Sequence, residues 1–104
     1  MLENYVEKRF VLERFRSSPA GSYIDGFAVA LLRDGYSWQT GASCLRHAVH
    51  VGRWLATQSL AIETLDEDGI ADFESHLGTC NCPYERPGSH ERAGARVRVF
   101  LQYL

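Results

Sequence analysis

The chain has 104 residues, 45% hydrophobic, 12% aromatic and 23% charged, a composition that excludes a disordered segment and suits a single folded domain. No run of about 18 apolar residues offers a membrane span, and the opening MLENYVEKRF puts charges where a secretion signal keeps an apolar stretch. The net charge of −2 excludes a uniformly basic nucleic-acid binder, though not one with a basic face.

The segment before Ser17, with Tyr5, Val6, Phe10, Val11, Leu12 and Phe15, fits a short helix, a strand or an arm. Pro19 and Gly21 set it apart, so residues 1–21 are expected to form an N-terminal arm or extra element. Ser22 and Asp25 have capping-box spacing, and Ile24, Phe27, Ala28 and Leu31 follow at helical steps before Gly35, which predicts a helix over 23–33. Ser37 can cap the next, predicted over 37–57. Its apolar stripe is Trp38, Ala42, Leu45, Val49, Gly52 and Leu55 or Ala56. Gln39, Ser43, Arg46, His50, Arg53 and Thr57 form a second stripe, and the helix contains no acid. Gly41 and Gly52 lie inside it, each costing about 1 kcal/mol relative to Ala. Thr64 and Glu67 resemble another capping box, ahead of an acidic helix predicted over 65–77 with Ile70, Phe73 and Leu77 inward. Thr79 to Ser89 contains Pro83, Pro87 and Gly88 and is expected to be a loop. A last helix is predicted over 91–104, with Ala93, Val97, Phe100 and Leu104 inward. The fold class is therefore all-α, a bundle of four principal helices. Its expected core is Phe27, Leu31, Leu45, Val49, Leu55, Ile70, Phe73, Val97 and Phe100, with Trp38 and Trp54 as anchors and Cys44 as a small buried residue.

Charge is segregated along the chain. Residues 1–60 carry +2, residues 61–85 carry −7 with no Lys or Arg, and residues 86–104 carry +3. Such a pattern allows one basic and one acidic face.

Three local patterns resemble a known family. Gly35-Tyr36-Ser37 is followed by Thr40 and by Trp54-Leu55 at the helix end. Leu60 and Ile62 lead into Thr64-Leu65-Asp66, with Ile70 and Phe73 beyond. The chain finishes on Arg98-Val99-Phe100-Leu101-Gln102-Tyr103-Leu104. From Tyr23 to Leu104 the sequence is similar to the N-terminal core-binding (SAM-like) domain of tyrosine recombinases and phage-type integrases, the Xer-like group especially. The resemblance implies a DNA-binding domain over 22–104 that forms half of a clamp around duplex DNA. Its second and fourth principal helices would face the major groove and flanking phosphates. DNA integration or recombination would be carried out by a separate C-terminal domain, expected to be absent from this chain. The implied partners are double-stranded DNA and further copies of the full-length recombinase in a synaptic complex.

Residue chemistry agrees with that placement. Arg bridges phosphate oxygens or the guanine O6/N7 edge, and Ser, Thr and Gln donate to phosphates near a helix start. The expected DNA contacts are Gln39, Thr40, Ser43, Arg46, His50, Arg53, Arg92 and Arg96, with Arg14 and Arg33 outside the face and Arg98 able to pair with the acidic helix. No Cys–His or Ser–His–Asp arrangement follows from the spacing, so this chain is not expected to be an enzyme. His76, Cys80, Cys82 and His90 form an H-x3-C-x-C-x7-H series, the zinc candidates. C-x-C is tighter than the usual C-x2-C knuckle, so no metal or other cofactor is expected. The alternative function is a helical protein-interaction module, zinc-stapled through the Cys80/Cys82 loop. An odd number of cysteines argues against a disulfide framework and for a reducing cytoplasm.

Overall fold

A computed structural model describes residues 2–85 and 90–104. Residues 86–89, part of the expected loop, lie outside the described residues. The elements are a 3₁₀ turn at Leu2–Asn4, α1 (Arg9–Arg16), α2 (Gly21–Arg33), α3 (Trp38–Thr57), a 3₁₀ turn at Ile62–Thr64, α4 (Glu67–Leu77) and α5 (Ala93–Tyr103). Helices α2 to α5 are the four principal helices of the expected bundle, each within two residues of its predicted bounds. Among the described residues there is no strand, and no helix is long and apolar enough to cross a membrane.

The helix starts show which local signals operate. Ser37 caps α3, its Oγ accepting from the Thr40 N–H at 3.2 Å. The two expected capping boxes do not form. Asp66, not Thr64, caps α4 by accepting from the Gly69 N–H at 2.7 Å. Thr64 instead donates its hydroxyl to the Ala61 carbonyl within the preceding 3₁₀ turn. Helix α2 begins at Gly21 without a side-chain cap, and Asp25 accepts from the Arg16 guanidinium at 2.8 and 3.0 Å. That fork ties α1 to α2. Gly35, at φ +80°, ends α2 in the left-handed conformation that favours glycine.

Helix α3 packs chiefly against α5 and α2, while α4 packs mainly on α5. All nine residues expected in the core are buried, and Cys44 is buried with them. Phe100 joins α5 to α2 through Phe27, with ring centroids 5.0 Å apart. Two expectations fail at helix ends. Trp38, in the first turn of α3, is 55% exposed, and Leu104 extends past the last turn into solvent. Trp54 is half-buried against Phe73, 5.5 Å between centroids.

Residues 2–16 are an integral layer and not a separate arm. Leu2, Tyr5 and Phe15 are buried in the common core. The Tyr5 ring lies against Gly41, where a Cβ would overlap it. This contact accounts for a glycine in the first half of a long helix.

Candidate functional site

The 20-residue helix α3 supplies most of the polar residues singled out above, and the structure divides them into a surface group and a buried group. Gln39 is exposed at the helix start, and Thr40, Ser43, Arg46 and Arg53 are half-buried along one stripe. His50, in the middle of that stripe, is 1% exposed. Its place as a DNA contact is corrected, because the 80–85 segment and α4 cover that part of the helix.

Two arginines meet at Tyr84, a residue 64% exposed. Arg14 of α1 stacks 3.9 Å from the ring centroid, and Arg53 of α3 lies 5.3 Å from it. Burial lowers the Arg53 pKa, and the neighbouring Arg14 charge lowers it further. Among the described residues neither Arg14 nor Arg53 has a carboxylate within ion-pair distance. The Arg14 Nε is buried without a hydrogen-bond partner among them. Arg14 therefore adjoins Arg53, where the sequence set the two apart. Arg33 is occupied at the surface by Asp34, 3.1 Å away.

On α5, Arg92 is exposed in a left-handed conformation at the N-cap, and Arg96 is half-buried. The Cys44 thiol is pushed up in pKa by burial, partly offset by the Arg96 charge, which places Arg96 close to α3. Arg98 takes the alternative considered for it. It forks onto Glu67 of α4, with Nε 3.0 Å from each carboxylate oxygen. The remaining acids of α4, Asp68, Asp72 and Glu74, are exposed.

Chain comparisons identify no family. No family model, curated protein or solved structure matches this sequence.

Behind the arginines lies a second group that spacing only partly foreshadowed. One donor atom from each of His50, His76, Cys80 and Cys82 lies within 4.8 Å of the others. His50 Nε2 is 3.4 Å from Cys80 Sγ, and His76 Nε2 is 3.3 Å from Cys82 Sγ. His90, the fourth zinc candidate by sequence, is replaced in this set by His50. It groups instead with His50 and Glu85. Glu85 Oε1 lies 3.1 Å from His50 Nδ1, both side chains almost wholly buried, although the alignment falls short of a good hydrogen bond. Burial opposes ionisation of Glu85, but His50, Arg46 and His47 outweigh it and hold the carboxyl below its usual range. Burial lowers the His76 pKa, and the neighbouring His50 and His90 lower it further. His47 is buried beside this group, with Nδ1 2.8 Å from the Ser43 carbonyl and 3.3 Å from its Oγ.

Neither Glu85 nor His47 was singled out by sequence. Glu85 sits in an irregular segment, where no periodicity reports which way a side chain faces. His47 falls between the polar stripe and the apolar stripe of α3. The burial of both follows from the 80–85 segment lying over the helix.

Proposed function

We propose that this chain is a DNA-binding domain of the core-binding type found in tyrosine recombinases, acting on duplex DNA in the cytoplasm beside a separate catalytic domain. The observation that carries the reading is the Arg14–Arg53 pair. Two guanidinium groups share one exposed tyrosine ring, and among the described residues neither has a carboxylate within ion-pair distance. Like charges so arranged favour an anion from outside, and DNA phosphates supply closely spaced ones. The exposed acids of α4, which phosphates would repel, leave the arginine side as the face open to DNA.

In this account Gln39, Thr40 and Ser43 at the start of α3, Arg46 and Arg53 further along it, and Arg14 of α1 follow the backbone of one duplex. Arg92 and Arg96 extend the contact from α5. The Thr40 N–H is already taken by Ser37, so Thr40 contributes its hydroxyl. Recombination chemistry and assembly with further recombinase copies belong to the full-length protein. Half a clamp holds DNA weakly, with an expected Kd of about 10⁻⁴–10⁻⁶ M at physiological salt.

Fluorescence anisotropy on a labelled duplex across a salt series tests this. Wild type should bind with an affinity that falls steeply as salt rises. Arg14→Ala and Arg53→Ala should each weaken binding on every sequence and flatten the salt slope by about one unit. Arg33→Ala should leave both unchanged. No binding at low ionic strength contradicts the reading, and equal losses from Arg33→Ala and Arg53→Ala reduce it to general attraction.

A further inference from the structure

The geometry points to a zinc site built by His50, His76, Cys80 and Cys82, a closed Cys2His2 centre that pins the end of α4 and the following segment to α3. Zinc bound to two thiolates and two imidazoles has bond lengths of about 2.3 Å to sulfur and 2.0–2.1 Å to nitrogen, which separates neighbouring donors of a tetrahedron by about 3.3–3.8 Å. The His50–Cys80 and His76–Cys82 separations are 3.4 and 3.3 Å, and the whole set lies within 4.8 Å. Two of the six donor separations are therefore at tetrahedral spacing, and the other four, none beyond 4.8 Å, need to close by at most about 1 Å. Two sulfur and two nitrogen ligands select zinc over the hard cations magnesium and calcium. With four protein ligands no corner is left for substrate, so the role is structural.

The surroundings suit this assignment. His50 presents Nε2 to the thiols while its Nδ1 faces the Glu85 carboxylate at 3.1 Å. A metal-bound histidine commonly gives its second nitrogen to such a carboxylate, which fixes the tautomer and turns the ring. His50 is also 1% exposed, so solvent does not compete for its ring nitrogens. Packing supplies the need. Helix α4 rests mainly on α5, and the rings that join it directly to α3 are His50 and Trp54 against Phe73 and His76. Residues Cys80 to Cys82 have no helix or strand to hold them. An ion at this point would fix the segment that carries Tyr84 and Glu85 over α3. The site is independent of whether the chain binds DNA.

The test is metal content of the full chain purified in the presence of zinc, with cobalt(II) as a spectroscopic substitute. Wild type should hold equimolar zinc, and its cobalt form should show thiolate-to-cobalt charge transfer and the visible bands of a tetrahedral ion. Cys80→Ser and Cys82→Ser, both on the irregular segment, should lose the zinc while circular dichroism stays helical. Chelator should lower the Tm of wild type and leave that of the double cysteine variant unchanged, since an ion bound by the folded form alone adds its binding free energy. Glu85→Gln should keep the ion with affinity reduced about 10- to 100-fold, and His90→Ala should keep it at full strength. Wild type without zinc and without the cobalt spectrum overturns the proposal. So does zinc retained by the double cysteine variant, which would assign it to His50, Glu85 and His90.

Discussion

A histidine enclosed in a domain of this size is most stable uncharged, and His47 is held in that state. Its Nδ1–H donates to the Ser43 carbonyl at 2.8 Å, leaving Nε2 as a buried acceptor without a partner among the described residues. Burial lowers its pKa to about 4; the Ser43 carbonyl opposes the shift, the Arg46 and His50 charges add to it, and Glu85 opposes it. The unfolded chain takes up a proton near pH 6.5 that the folded one refuses until about pH 4. Stability from His47 is thus complete above pH 6.5 and lost as pH falls towards 4, on the order of 3 kcal/mol in all. Urea unfolding of wild type and His47→Gln at a series of pH values isolates this contribution. The variant should lose less stability than wild type between pH 6.5 and 4; identical pH profiles would show that His47 is not held neutral. Residue-scale legibility was uneven for a physical reason. The nine core residues follow from helical spacing, and Cys44, one position off the stripe, from the usual burial of a small thiol. His50, Glu85 and His47 depend on a segment crossing over α3, which no spacing within α3 reveals.

Helix α3 shows how element-scale signals combine. Ser37 and the apolar stripe set its bounds in sequence, and the structure agrees. Gly41 reads as a weakness in the helix until Tyr5 is placed on it. Gly41→Ala improves helix propensity by about 1 kcal/mol but thrusts a methyl into the Tyr5 ring, and overpacking typically costs about 1–3 kcal/mol. The expected outcome of urea unfolding is net destabilisation in wild type and stabilisation in a Tyr5→Ala background. Stabilisation in both would remove Tyr5 from this position. The N-terminal segment was the least legible element because its partner, a glycine, carries no hydrophobic signal. The capping boxes erred in a related way. Asp66 lies between Thr64 and Glu67 and, as the direct cap of α4, displaces the Thr64 pairing. Leu45→Ala and Phe73→Ala, which open the centre of α3 and α4, should each cost about 2–5 kcal/mol. That is much of the stability of a small domain, and a variant that melts like wild type would contradict its burial.

At the scale of the whole molecule, the sorting of charge in sequence survives only in part, since Glu74 of α4 and Arg92 at the start of α5 line the same pocket. Of the seven acids of 61–85, Asp68, Asp72 and Glu74 stand exposed on α4; Glu63 accepts from Tyr23, Asp66 caps α4, Glu67 engages Arg98 and Glu85 is drawn inward by His50. The basic side is less simple than the sequence suggested. Arg14 joins it from α1 through Tyr84, and His50 leaves it for the Cys–His group. Neither change shows in a helical stripe, because both arise where α1, α3 and the 80–85 segment meet. The most direct measurement is a titration of the isotope-labelled full chain with duplex DNA, followed by amide NMR. Amides from Gln39 to Arg53 and those around Arg14 and Tyr84 should shift, while Asp68, Asp72 and Glu74 stay in place. Shifts confined to α4, with α3 and Arg14 silent, would contradict a DNA face on the arginine side.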